Sequence, residues 1–259
     1  MNMIDNRKEI KKENRLWIKI AVLIFWLGVW QFASSMTRLE LLLPGPVRVA
    51  ESLIDLIRTK AFYLTISSTF VRITAGFLFG FVLGILLGSI AGLYDLVRTF
   101  LSPLIHLMKV LPVVSFIILL LIWFGSANVA VWISFLVVFP MIYTAAVEGI
   151  HNLDLSLMEM AQVFELTVFR KIRYLYLPQL FPYVISGTTV ALGMCWKAGI
   201  SAEVIGLAKN SIGSQMYYTK LYLMTADLFA WSITVILISF LFEKMFVWLL
   251  KLLKRRLER

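Results

Sequence analysis

The chain has one cysteine, Cys195, and two histidines, His106 and His151, far apart in sequence. An internal disulfide and a multi-thiolate metal centre are therefore excluded, and neither histidine has an acidic partner at ligand spacing. Charge is equally scarce: Asp, Glu, Lys and Arg make up 15% of 259 residues, against 60% hydrophobic residues and a mean hydropathy of +0.86. A soluble domain could not wet such a surface, so lipid is the solvent this composition requires. No Gly-x-x-x-x-Gly-Lys-Ser/Thr phosphate loop is present, so the chain has no such cradle for ATP, and no nucleophile–base pair marks it as an enzyme. The net charge of +10 forms no stripe with interleaved aromatics, which argues against nucleic acid.

What is abundant is the long uncharged run. A helix needs about 20 apolar residues to cross the hydrocarbon. Residues 20–37 form the first such run, behind a basic segment holding Arg7, Lys8, Lys11, Lys12 and Arg15. It exceeds the core of a cleaved leader, so it reads as a retained anchor. Residues 73–93 give a second span. Between Arg98 and Glu148 the only formal charge is Lys109, leaving room for a third and a fourth with a turn at Gly125, Ser126, Ala127 and Asn128. Residues 174–196 supply a fifth, entered through Pro178 and Pro182, and 221–250 a sixth that contains Asp227, Glu243 and Lys244. The expectation is an all-α, polytopic transmembrane bundle of about six spans. It divides into a basic cytoplasmic N-terminus (1–15), a first helix (16–36), a core of five spans (37–250) with a cytoplasmic loop at 151–178, and a basic C-terminus (251–259).

Basic residues are retained on the cytoplasmic side, which sets the orientation. With the N-terminus inside, fourteen Lys and Arg flank the inner ends of the spans and six the outer ends, so both termini are expected in the cytoplasm. The second span carries Gly76, Gly80, Gly84, Gly88 and Gly92, each four residues from the next. That register makes a smooth groove suited to close helix packing, the main source of helix association in lipid. Arg72, Lys197 and Glu203 are the charges near the outer ends of spans. The bland reading is snorkelling to the interface; the sharper one is a vestibule in which Arg72 and Lys197 favour an anion. Lys109 and Asp227 read as interface or packing charges.

The longest inner loop shows deliberate placement. Ser156 and Glu159 have capping-box spacing, Leu157, Met160, Ala161 and Phe164 fall on one helical face, and Thr167 is positioned to cap a second short helix. Glu159, Met160, Ala161, Glu165, Leu175, Leu177 and Pro178 keep the spacing of the "EAA" loop, whose pattern is Glu-Ala-Ala, three residues, Gly, nine residues, Ile, one residue, Leu-Pro. The chain thereby resembles the permeases of binding-protein-dependent ABC importers, of the nitrate, sulfonate and taurine type. Leu43-Pro44-Gly45-Pro46, Ser68 to Arg72, Pro103, Pro112, Phe124-Gly125, Trp196-Lys197 and Ala202 to Gly206 extend the likeness along the sequence.

The resemblance implies a type I importer-like permease core in a bacterial inner membrane, working as a pair, most simply a homodimer. It implies that Ser156 to Pro178 form a coupling helix seated on a separate ABC ATPase pair. It also implies that an extracytoplasmic binding protein delivers a small anion, and that ATP, the only cofactor, is bound by the partner. Two departures stand out: Met160 replaces a small residue, and Glu165 occupies the usual glycine, where a positive φ is expected. A secondary carrier is the alternative class, but no internal repeat with coupling carboxylates in mid-membrane is visible.

Overall fold

The computed structural model describes the backbone of residues 3–37 and 42–257 and the side chains of 17–36 and 42–256. The side chains of Arg7, Lys8, Lys11, Lys12, Arg15, Arg38 and Arg259 lie outside that range. Ten α-helices follow one another: α1 Met3–Thr37, α2 Pro46–Ile57, α3 Lys60–Leu93, α4 Asp95–Val110, α5 Val113–His151, α6 Leu155–Val163, α7 Val168–Lys171, α8 Leu177–Gly206, α9 Ile212–Leu221 and α10 Thr225–Leu257. Among the described residues there is no strand. That is the expected result for a chain whose backbone groups must be satisfied within each segment in lipid.

Among the described residues, four helices are both long and apolar enough to span: 17–36 of α1, then α3, α5 and the 225–256 stretch of α10. The 30-residue α8 has the length with a more polar composition. These four, together with α8 and a passage between Arg98 and Gly125 that divides differently from the expected straight span, are compatible with about six spans. Leu111 and Pro112 end α4 after 16 residues, and the helix that follows leaves helical geometry at Gly125 (φ 70°, ψ 172°). The break at Gly125 falls within the expected turn, at a backbone conformation that only glycine adopts readily. The piece before it, from Val113, covers 12 residues, so α4 and this piece form an interrupted passage rather than one straight helix. In the fifth segment the helix runs ten residues beyond Trp196, because Glu203 finds partners inside the protein.

The core forms where α5 lies between α3 and α8. A second seam, between α3, α8 and α10, is filled by Phe70, Phe77, Trp196, Phe242 and Phe246, with ring centroids 4.8–6.2 Å apart in edge-on and tilted pairs. Among the described side chains, α1 meets the rest through Trp30 Nε1 donating to Pro44 O (3.1 Å), Ser34 Oγ donating to Leu43 O (2.8 Å) and the Trp30 ring against Phe229 (5.8 Å). Asp227 accepts from Ser52 Oγ (2.5 Å), which ties α10 to α2.

The glycine register meets α5. A Cβ added at Gly88 would stand 2.6 Å from Tyr143 O, one at Gly84 2.9 Å from Ile142 Cβ, and one at Gly92 2.8 Å from Ile150 Cβ. Gly76 and Gly80 face the carbonyls of Val131 and Phe135 in the same way. The two helix backbones touch along this line, and dispersion contacts replace the hydrophobic drive that lipid removes.

Candidate functional site

The loop between α5 and α8 starts from a cap that differs from the expected one. Asp154, not Ser156, is the N-cap of α6: its Oδ1 accepts from Ser156 Oγ (2.7 Å) and Ser156 N (2.9 Å). These two bonds, the hydroxyl first, hold the Asp154 carboxyl below the usual range. An Asx cap two residues earlier competes successfully with the Ser–Glu box, because a carboxylate is the stronger acceptor. Asp154 N donates to Gln179 Oε1 (2.9 Å), so the loop's entry is pinned to the start of α8.

α6 ends in a Schellman turn. Leu166 N donates to Ala161 O (3.0 Å), Glu165 N donates to Gln162 O (3.0 Å), and Glu165 takes a left-handed φ of 48°. The glycine position of the loop pattern is therefore left-handed even with Glu in it, at a steric cost the turn's hydrogen bonds offset. Thr167 is the N-cap of α7 by position, without a side-chain bond. Residues 172–176 make a π-helical turn that leads directly into α8, so α7 and α8 form one continuous lever.

Ala161 is fully buried and Leu175 nearly so, while Leu157 is half-buried. The apolar side expected to be presented through Leu157, Met160, Ala161 and Phe164 is thus divided. Ala161 holds the loop from within, and the exposed apolar surface consists of Leu155, Val163, Phe164, Val168 and Phe169, each at least 70% exposed, with Met160 at its edge. Glu159 and Ser156 are exposed, Leu177 and Pro178 half-buried. Arg170, Lys171 and Arg173 flank this apolar surface.

At the opposite end of α8 the structure brings Arg72 and Glu203 together. Glu203 is fully buried; it accepts from Thr69 Oγ1 (2.8 Å), Arg72 Nη1 (3.4 Å) and Gly213 N (3.3 Å). Arg72 Nη2 donates to Lys209 O (3.0 Å), and Thr69 Oγ1 accepts from Ile212 N (2.9 Å). The knot joins α3, α8 and the start of α9 and neutralises the guanidinium internally. Lys197 is apart from it, in a groove of about 440 Å³ between α8 and α10 that also holds Ser201, Ser239 and Glu243.

A further cleft escaped the sequence reading. Arg98, Ser102, His106 and Lys109 follow one another at spacings of four, four and three on one face of α4, while Leu96, Phe100, Leu104 and Leu107 cover the other. The polar face looks onto Tyr143, Thr144, Glu148 and His151 of α5 across about 400 Å³. Lys109 Nζ donates to Thr144 Oγ1 (2.6 Å), and Arg98 Nη1 stands 3.3 Å from His151 Nδ1. The polar spacing within α4 was the available signal, hidden because the region reads as one uncharged stretch.

The chain matches the family described as binding-protein-dependent transport system inner membrane component over residues 80–259. The taurine transport system permease protein of Escherichia coli (strain K12) is 25% identical, covering 87% of this chain and 84% of its own length. The nitrate import permease protein of Synechococcus elongatus is 28% identical, over 72% and 70%. Among solved structures, a bacterial alginate ABC transporter in complex with an alginate pentasaccharide-bound periplasmic protein shares the fold at a TM-score of 0.60. That match covers 97% of this chain and 98% of the other at 17% identity. With its multi-pass helical architecture and more than half its length inside the matched region, the chain belongs to the binding-protein-dependent inner membrane permease family of ABC importers.

Proposed function

We propose that this permease subunit imports a small anion, as one of two copies in a complex driven by a separate ATPase docked on the α6–α7 loop. The carrying observation is that loop: a left-handed turn at Glu165, a buried Ala161 at its centre, an exposed apolar surface through Phe164 and Phe169, and a rigid continuation into α8. Closure of an ATPase pair against that surface would move α8 as a lever, a rigid-body transmission. The chain itself does no catalysis; ATP is the partner's ligand. Both termini lie in the cytoplasm, following the bias of basic residues. An extracytoplasmic binding protein delivers the cargo. The anionic class is supported by the taurine and nitrate relatives, since a sulfonate and nitrate present similar oxygen faces.

Phe164→Asp and Phe169→Asp test the docking. Both side chains are about 70% exposed in the chain, so either variant should assemble normally. Each places an unpaired charge on the docked face, where desolvation costs several kcal/mol, and the ATPase should be lost on purification. Retention of the ATPase and of full ATP-driven uptake by both variants would remove the loop from the coupling route and reopen the secondary-carrier reading.

A further inference from the structure

We infer that the cleft between α4 and α5 is a binding site for one small oxyanion, held at its deep end by Lys109, with the Tyr143 hydroxyl as its directional donor. The inference rests on the permease reading, which sets α4 in the membrane.

Three observations carry it. First, α4 is split into a polar and an apolar face, and the apolar one is well exposed: Leu96 is 84% and Phe100 80% exposed. In lipid the apolar side faces the acyl chains, so the cationic side must face water or another protein. Lys109 lies fourteen residues beyond Asp95, roughly 21 Å along the axis at a rise of about 1.5 Å per residue, well within a hydrocarbon core of about 30 Å. A lysine so deep needs a compensating group, and its hydrogen-bond partner there, Thr144, is neutral.

Second, Tyr143 is 5% exposed and its hydroxyl has no hydrogen-bond partner among the described residues, although its side chain lines the cleft. A buried tyrosine hydroxyl is ordinarily paired, and one left without a partner beside cations is a donor suited to an anion.

Third, the carboxylates sit at the mouth. Asp95 begins α4 and Glu148 lies in the last turn of α5, whereas the deep end holds His106, Lys109, Tyr143 and Thr144 and no acid. Arg72 is committed to Glu203. Sulfate, nitrate and sulfonates are the ligand class: compact, singly or doubly charged, able to accept from an ammonium and a phenol at once.

The whole importer in nanodiscs of zwitterionic phosphatidylcholine tests this with radiolabelled sulfate, nitrate and methanesulfonate as probes. Wild type should bind at least one of them. Tyr143→Phe keeps the ring and its packing, so it should leave yield and thermal midpoint unchanged while weakening binding about tenfold, the effect of losing one charge-assisted hydrogen bond. Lys109→Gln should weaken it by a similar or larger factor, and Lys197→Gln should have no effect. Unchanged binding in Tyr143→Phe and Lys109→Gln would overturn the site. So would a wild type that binds no probe in phosphatidylcholine yet retains phosphatidylglycerol through Lys109, since the ligand would then be a lipid headgroup. ATP hydrolysis stimulated by a neutral solute, with no anion bound, would sink the site and the anionic cargo together and leave the ATPase coupling standing. Failure of wild type to retain any ATPase would sink that reading instead.

Discussion

Removing the guanidinium of Arg72 should destabilise the outer end of the bundle far more than removing the charge of Glu203. Glu203 is wholly buried and Arg72 is its cation at 3.4 Å. At an effective dielectric of about 20 that separation corresponds to about 5 kcal/mol of attraction, most of which desolvation of the carboxylate offsets while the pair is intact. Arg72→Met strands the carboxylate, with Thr69 and Gly213 as its remaining donors, and should cost about 3–5 kcal/mol. Glu203→Gln keeps an acceptor for Thr69 and Gly213, and it frees an arginine that is already 20% exposed and can reach water, so about 1–2 kcal/mol is expected. Arg72→Met/Glu203→Gln should fall near the Gln variant alone. Cys195 provides the assay: it is the single thiol, fully buried, and its Sγ lies 4.0 Å from Ile73 O, one residue from Arg72. Its alkylation rate under native conditions should rise in Arg72→Met by two to more than three orders of magnitude, at about 1.4 kcal/mol per decade. The double variant should return it most of the way. If Arg72→Met and the double variant react alike, the carboxylate is not stranded and the reasoning fails.

Two further outcomes follow from the packing and the charge bias. Gly88→Ala should lower stability by about 1–3 kcal/mol, because its Cβ would meet the Tyr143 carbonyl, while Gly206→Ala meets the movable end of the Leu121 side chain and should cost less; thermal unfolding of the purified subunit gives the order, and equal losses would refute it. In a Cys195→Ala background, a cysteine at position 209 should react with an impermeant thiol reagent in intact cells and one at position 165 should not; the reverse pattern would invert the topology.

Composition and local pattern determined the class of this protein without help. An apolar chain with few charges has to be helical in lipid, and the spacing from Glu159 to Pro178 is a local property that survives any arrangement of the bundle. A left-handed turn was expected of the glycine in the loop pattern and placed in question by Glu165; the turn's own hydrogen bonds, from Leu166 N and Glu165 N, accompany that backbone conformation with Glu in place. Only the tertiary structure decided which sides of those elements meet. The five glycines define a groove in sequence, but that α5 fills it depends on the chain's path through space. Ala161 and Phe164 share a helix with opposite fates, one buried beneath the loop and the other exposed, because burial depends on what lies across from a face. Asp154 took the cap from Ser156 through a difference in acceptor strength that spacing does not encode. Arg72 and Glu203 are 131 positions apart and Lys109 and Thr144 are 35 apart. Long-range polar pairs of this kind arise when helices dock, since a charge carried into a bundle takes whichever partner the packing brings near.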